Sequence, residues 1–208
     1  MTPDLRLIVI TDRDLAAPRA VRDIVAAALV AGAPAIQLRD KAGTARELFE
    51  QARALGEIVR PHGALLFVND RLDVALAARA DGVHLGPDDL PIAAARRAAP
   101  ASFLIGFSTD DPEQARRAER DGASYIGCGA VFGTTTKAEA AHERIGEERL
   151  AAVVAAVGIP VIGIGGIDTA NVARVAAAGA RGAAVVSALM RAADPSTVTR
   201  QLLAPFGG

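Results

Sequence analysis

The sequence predicts an α/β protein with the fold of a single-domain (β/α)8 TIM barrel spanning residues 1–208. Eight short apolar segments rich in β-branched residues alternate with helical segments rich in Ala, Arg and Glu. Their spacing is even, at about 26 residues per unit, which suits a compact barrel of this class. Several of the short segments are apolar on both faces, as expected of a parallel sheet covered by helices. An open doubly wound sheet is the alternative, and the count of eight favours closure over it.

The predicted strands are short runs of apolar residues. In chain order they are Leu5–Ile10, Ala35–Leu38, Leu65–Val68, Gly82–Leu85, Phe103–Phe107, Tyr125–Gly127, Val161–Ile164 and Gly182–Val186.

The predicted helices show apolar residues at spacings of three and four, which is typical of an amphipathic helix. They are Arg19–Ala31, Thr44–Arg60, Leu72–Ala78, Pro91–Ala98, Pro112–Asp121, Gly146–Val157, Thr169–Ala178 and Ser196–Leu203. Asp12, Asp110 and Asp168 stand just ahead of helical segments and are candidate N-caps or first-turn acids.

Composition and charge exclude several classes of function. The net charge of −1 and the 3% of aromatic residues, with no Trp, argue against a nucleic-acid partner. The N-terminal segment lacks the basic stretch of a signal peptide, and no apolar run is long enough to span a membrane. The single cysteine, Cys128, excludes an internal disulfide and a cysteine-based metal cluster. We therefore expect a cytoplasmic protein, and leave open whether it forms a homo-oligomer.

Function in a barrel of this kind resides at the carboxyl ends of the strands. After the second predicted strand, alternation places Gln37, Arg39 and Lys41 on one side and Leu38 on the other. A glutamine, an arginine and a lysine that point together predict a site for an anion and an amide-like group, although a solvated strand end is the alternative.

Two carboxylates follow neighbouring strands. Asp70 comes after the third strand, beside Asn69, and Asp89 comes after the fourth. Each alone is typical of a helix N-cap. Together with Arg39 and Lys41 they predict a Mg2+-diphosphate site, because Mg2+ takes a few carboxylate oxygens along with phosphate oxygens and water.

The later strands are followed by groups that suit phosphate oxygens. Backbone amides, hydroxyls and an ammonium group are the donors concerned, and they come from Ser108, Thr134, Thr136, Lys137, Gly166, Val186 and Ser187. His84 in the fourth strand is interpreted as a hydrogen-bonded structural histidine, His62 as solvated and Cys128 as a small buried residue without a basic partner.

With these residues in place, the chain resembles the thiamine-phosphate synthase family over nearly its whole length. The matching motifs occur in the family's order and are VITD at 9–12, QLRDK at 37–41, VNDRLDVAL at 68–76, ADGVHLGPDDLP at 80–91, IGFST at 105–109, GAVFGTTTK at 129–137, IGGID at 164–168 and VVSAL at 185–189. The family has the (β/α)8 fold, which agrees with the independent count of strands.

The resemblance implies a transferase that joins hydroxymethylpyrimidine diphosphate to thiazole phosphate, giving thiamine phosphate and pyrophosphate with Mg2+ as cofactor. The roles that it implies fall into three groups. Gln37, Arg39, Lys41, Asn69, Ser108 and Lys137 would hold the pyrimidine diphosphate, Asp70 and Asp89 would hold the Mg2+, and Thr134, Thr136, Gly166, Val186 and Ser187 would hold the thiazole phosphate. Of these, Arg39, Lys41, Ser108 and Lys137 would assist the chemistry directly.

The chain departs from the family's usual pattern at Ala130 and Gly133, where prolines are common. We expect these changes to loosen the phosphate loop, so that it orders only around its ligand. If φ at Gly133 lies near −65°, Gly133→Pro should tighten thiazole-phosphate binding.

Two other functions remain open from the sequence. A related thiazole tautomerase would need no Mg2+-diphosphate site, so the presence of Gln37, Asn69, Asp70 and Asp89 argues against it. A non-catalytic sensor of phosphorylated thiazole is the second alternative, and the full set of polar strand-end residues argues against that.

Overall fold

The computed structural model describes residues 3–133 and 144–207. Eight parallel strands pair in sequence order and close into a barrel, with the first strand hydrogen-bonded to the eighth. They are β1 (Leu7–Ile10), β2 (Ala35–Leu38), β3 (Leu65–Asn69), β4 (Gly82–Leu85), β5 (Leu104–Ser108), β6 (Tyr125–Cys128), β7 (Val161–Ile164) and β8 (Gly182–Val185). The predicted (β/α)8 barrel is confirmed, and the open sheet is excluded.

The described helices cover the outside of the barrel. They are α1 (Arg13–Ala16), α2 (Val21–Val30), α3 (Ala45–Val59), α4 (Leu72–Ala77), α5 (Ile92–Ala98), α6 (Pro112–Arg120), α7 (Gly146–Ala156), α8 (Val172–Ala177), α9 (Ser187–Met190) and α10 (Pro195–Leu203). Short 3₁₀ turns follow α3 at Arg60–His62 and α10 at Ala204–Phe206.

Strand alternation divides the apolar residues between two cores. In β1, Ile8 and Ile10 belong to the cluster inside the barrel, whereas Leu7 and Val9 pack in the larger layer between strands and helices. Both layers exclude water, since all four residues are at most 4% exposed. This is why the strands are apolar on both faces.

The helix starts follow the expected capping chemistry, with one correction. Asp12 accepts a hydrogen bond from the backbone amide of Leu15 at 3.0 Å and caps α1. Ahead of α6, however, Asp111 is the N-cap, because it accepts from the amide of Glu113 at 2.8 Å. The prediction of Asp110 as that cap is wrong by one residue, since Pro112 occupies the first helical position.

Asp168 is also not the helix N-cap that the sequence predicts. Its carboxylate accepts from the amide of Ala170 at 2.9 Å in the turn before α8, while Asn171 stands at the N-cap. Two helices, α1 and α9, were not predicted, because four residues are too few to show a helical period. Within the described ranges, no helix has the length and apolar character needed to cross a membrane.

Candidate active site

A cavity of about 380 Å³ opens at the carboxyl ends of the strands. Its size is that of a small-molecule site, and every strand of the barrel contributes to its wall. Among the lining residues are Ile8, Gln37, Asn69, His84, Ser108, Tyr125, Ile162 and Ala184, one from each strand in turn. The cavity therefore lies where barrels of this class bind ligands.

The wall formed by β2 and β3 carries amide side chains and a partly buried cation. Gln37 is 3% exposed, and its side-chain amide donates to Asn69 Oδ1 at 3.3 Å. Arg39 also lines the cavity, and its Nε is buried with no hydrogen-bond partner among the described residues. Asp12 is its charged neighbour, with 3.8 Å between Asp12 Oδ2 and an Arg39 guanidinium nitrogen. Buried donors are normally paired, so the unpaired Arg39 Nε marks a place for an acceptor supplied by a ligand.

Lys41 is not brought into the cavity with these residues. It is exposed and is not among the lining residues. Strand β2 ends at Leu38, and the chain then turns at Asp40, whose carboxylate accepts from the amides of Ala42 and Gly43, both at 3.1 Å. The alternation rule therefore holds for Gln37 and Arg39 but does not extend to Lys41, since the chain is no longer extended there.

The two predicted metal ligands lie beside lining residues without lining the cavity themselves. Asp70 follows Asn69, has a φ of +62°, and donates its backbone amide to the carbonyl of His84 at 2.8 Å. Asp89 Oδ2 accepts from the amide of Gly86 at 2.6 Å, which leaves Oδ1 unused by that turn.

No group of three or more His, Cys, Asp or Glu side chains in the described part of the chain could hold a metal ion. A cation at Asp70 and Asp89 would thus need oxygens from substrate and water. That donor set suits Mg2+, which binds proteins through one or two carboxylates plus phosphate oxygens.

The wall formed by β7 and β8 is shaped by glycine. Gly165, Gly166, Val186 and Ser187 all line the cavity. Gly166 has a φ of +65°, and a Cβ at this position would lie 2.6 Å from the carbonyl oxygen of Gly133. A side chain is therefore excluded from Gly166 both by backbone conformation and by the neighbouring loop.

The loop after β6 is held against this wall over its described part. The amides of Val131 and Phe132 donate to the carbonyls of Ile164 and Gly165 at 2.8 and 3.0 Å. Thr134, Thr136 and Lys137 lie outside the described residues, as does the part of the loop expected to order around ligand.

The structure contradicts the assumption made for Gly133. Its φ is +84°, far from the value near −65° that proline requires. The expected gain in binding from Gly133→Pro is therefore wrong, because this glycine adopts a left-handed conformation that proline cannot reach.

Sequence reasoning missed Tyr125 and the site position of Asp110. Tyr125 lines the cavity at 1% exposure, and its hydroxyl lies 2.9 Å from His84 Nδ1, while His84 Nε2 lies 2.8 Å from Ser108 Oγ. Asp110 lines the cavity instead of capping α6. A lone tyrosine at the start of a predicted barrel strand was the available signal for Tyr125.

The remaining candidates match their predicted structural roles. His84 is hydrogen-bonded through both ring nitrogens, and His62 is exposed. Cys128 is fully buried, and that burial raises the pKa of its thiol to about 12. The thiol is therefore protonated at neutral pH and unsuited to nucleophilic catalysis.

Fold and cavity together define a class: (β/α)8-barrel proteins with a ligand cavity at the strand ends, walled on one side by an arginine and amide side chains and on the other by a glycine turn. A family model described as thiamine monophosphate synthase matches residues 7–189. The chain belongs to this family, which is a family of transferases, and the resemblance seen in the sequence is confirmed.

Individual relatives agree with this assignment. A thiamine-phosphate synthase from Chloroflexus aurantiacus is 47% identical, with 97% of this chain and 92% of the relative covered. Another from Moorella thermoacetica is 46% identical, covering 96% and 95%. The solved structure of thiamine phosphate pyrophosphorylase from Pyrococcus furiosus superposes with a TM-score of 0.88 at 44% identity, covering 97% and 95%.

Proposed function

We propose that this chain condenses hydroxymethylpyrimidine diphosphate with thiazole phosphate to give thiamine phosphate and pyrophosphate. The observation that carries the proposal is the buried Arg39 Nε, which has no hydrogen-bond partner in residues 3–133 and 144–207, together with the Gln37–Asn69 amide pair in the same cavity wall. A diphosphate would supply an acceptor for Arg39 Nε, and a pyrimidine offers ring nitrogens and an amino group to the amides. The family membership and the names of the relatives support the same reaction.

The two substrates are assigned to different walls. The pyrimidine diphosphate would contact the β2–β5 wall through Gln37, Arg39, Asn69 and Ser108, with Lys41 and Lys137 approaching its phosphates. The thiazole phosphate would contact the β7–β8 wall through Gly166, Val186 and Ser187, with Thr134 and Thr136. Each of the two walls then holds one substrate, so that the barrel orients the two reactants toward each other.

Asp70 and Asp89 would hold the Mg2+, because each follows a strand that borders the diphosphate wall. When bound there, Mg2+ would neutralise charge that develops on the departing pyrophosphate.

In the proposed reaction the bond between the exocyclic CH2 and the diphosphate oxygen breaks, and its electron pair leaves with pyrophosphate. The pyrimidine amino group stabilises the resulting carbocation, and the lone pair of the thiazole nitrogen then forms the new C–N bond. No protein nucleophile is needed, and Arg39 and Ser108 serve by contacting the leaving group. The apolar side chains of Ile8, Ile162 and Ala184 keep water from the cation.

The direct test supplies purified protein with both substrates and Mg2+, and detects thiamine phosphate after its oxidation to a fluorescent product. We expect product and pyrophosphate in equal amounts, with none when either substrate is left out. Isomerised thiazole phosphate without pyrimidine would indicate a tautomerase. Tight thiazole-phosphate binding with no turnover would indicate a sensor.

A matched pair of variants tests the site within that assay. Arg39→Ala should lower the affinity for the pyrimidine diphosphate by about 10- to 100-fold, the size expected for one lost charge-assisted contact. Thiazole-phosphate affinity should change little. Arg22→Ala removes an exposed arginine on α2 and should affect neither ligand. If Arg39→Ala lost affinity for both ligands equally, the assignment of the two substrates to different walls would be refuted. Asp70→Ala should cost roughly 10²-fold or more in turnover.

A further inference from the structure

A hydrogen-bonded chain runs from the barrel interior to the cavity. Tyr125 on β6 contacts His84 on β4 through its hydroxyl, at 2.9 Å from Nδ1. The other ring nitrogen of His84, Nε2, lies 2.8 Å from Ser108 Oγ at the end of β5. Tyr125 is 1% exposed, whereas Ser108 is partly exposed in the cavity wall. The chain thus connects a buried phenol to a residue assigned to the diphosphate substrate.

The direction of these hydrogen bonds follows from the Tyr125 hydroxyl. Within residues 3–133 and 144–207, no partner for this hydroxyl other than His84 Nδ1 is seen. If Nδ1 carried the proton, the phenol oxygen would accept the hydrogen bond from Nδ1–H. The buried O–H of the phenol would then have no acceptor, and leaving a buried donor unsatisfied costs free energy. The phenol therefore donates to Nδ1, because burial raises its pKa and keeps it protonated.

The rest of the chain is then determined. Neutral His84 with an unprotonated Nδ1 carries its proton on Nε2 and donates it to Ser108 Oγ. Ser108 acts as acceptor in that bond, so its own hydroxyl proton remains available to point elsewhere. A serine in the opposite arrangement would donate to the imidazole and offer only lone pairs, which repel an anionic oxygen.

The barrel interior is shaped to hold this chain in place. A Cβ at Gly106 would lie 2.2 Å from Tyr125 Cζ and 2.5 Å from His84 Nδ1, and one at Gly127 would lie 2.9 Å from His84 Cε1. Phe67 packs edge-on against the Tyr125 ring, with centroids 5.5 Å apart. Two glycines and an aromatic contact therefore leave the two rings one packed arrangement.

We propose that Tyr125 and His84 are positioning residues that make the Ser108 hydroxyl a donor toward a phosphate oxygen of the bound substrate. The identity of that substrate rests on the proposed function, whereas the direction of the hydrogen bonds does not.

The first test measures the tautomer directly. Nitrogen-15 NMR of the wild-type protein, with His84 assigned by the loss of its signals in His84→Gln, should show the proton on Nε2 and none on Nδ1. A proton on Nδ1, alone or together with one on Nε2, would overturn the proposal. This measurement needs no substrate, so it stands even if no thiamine phosphate is formed.

The second test asks whether Tyr125 acts through Ser108. Tyr125→Phe keeps the ring and its contact with Phe67, and should weaken Mg2+-pyrophosphate binding by about three- to tenfold with thiazole-phosphate binding unchanged. In a Ser108→Ala background the same substitution should have no further effect, since coupled residues are not additive. Additive losses in the double variant would overturn the proposal.

Phe67→Leu provides the structural control, because it loosens packing around the same ring and leaves the hydroxyl in place. This variant should lower the midpoint of thermal unfolding without a selective loss of Mg2+-pyrophosphate affinity. The same selective loss in Phe67→Leu would show that Tyr125 acts only through packing.

Discussion

Replacing Gly166 by alanine tests the shape of the proposed thiazole-phosphate wall. Gly166 has a φ of +65°, and its added Cβ would lie 2.6 Å from Gly133 O and 3.1 Å from Phe132 Cβ. Gly63 offers a matched control, because its φ is +66° and a Cβ there would meet nothing within 4 Å. Both substitutions place an alanine at the same positive φ, and only Gly166→Ala adds a steric clash.

The expected magnitudes follow from these two terms. A left-handed backbone at an alanine costs about 1–2 kcal/mol, which both variants should lose from their free energy of unfolding. Displacing the packed Phe132–Gly133 backbone should cost Gly166→Ala a further ~1–3 kcal/mol. Moving that backbone should also break at least one phosphate contact, so thiazole-phosphate affinity should fall about tenfold or more.

Urea unfolding and calorimetric titration check both numbers. Gly63→Ala should bind thiazole phosphate as the wild type does, and both variants should retain affinity for the pyrimidine diphosphate. Equal destabilisation of the two variants would refute the steric clash at Gly166. Unchanged thiazole-phosphate affinity in Gly166→Ala would refute the argument that the Gly166 wall holds this substrate.

The metal assignment, the Gly133 turn and the Cys128 thiol allow three further tests. Asp89→Asn should raise the Mg2+ concentration needed for half-maximal turnover about tenfold or more. Asp88→Asn, which changes an exposed neighbour, should not raise it. Full turnover in EDTA would contradict any metal role. Gly133→Pro should weaken thiazole-phosphate binding in calorimetry, because proline cannot reach a φ of +84°, and tighter binding would show that the turn rearranges. Iodoacetamide should alkylate Cys128 far more slowly in folded than in urea-unfolded protein at about pH 8, because its pKa of about 12 keeps the thiol protonated; equal rates would contradict this.

Helix and strand identities could be predicted well, and their ends less well. β2, β4 and β7 have the predicted bounds, whereas the first strand begins at Leu7 and the fifth runs from Leu104 to Ser108. Interior positions are set by hydrophobic period, which local sequence carries. Strand ends depend on the hydrogen bonds offered by a neighbouring strand, and these belong to the folded barrel.

Site residues divide in the same way. Gln37, Asn69 and Ser108 lie at or near strand ends. Alternation placed Gln37 in the wall, and position at the end of a predicted strand placed Asn69 and Ser108. Lys41 follows a turn that alternation does not describe, and Asp110 was confused with the adjacent N-cap. Asp110 differs from the N-cap by one residue, and Lys41 lies beyond the end of β2, where a turn changes the direction of the side chain.

The barrel, the family and the set of groups at the strand ends could be predicted from the sequence, because these follow from local periodicity and from the motifs. The folded barrel was needed to show which of those groups share a cavity and which of them are hydrogen-bonded to one another. The Tyr125–His84–Ser108 chain joins three strands, and the left-handed turn at Gly133 meets Gly166 from another loop. Such relations depend on distances between segments far apart in the chain, and these distances are set when the barrel closes.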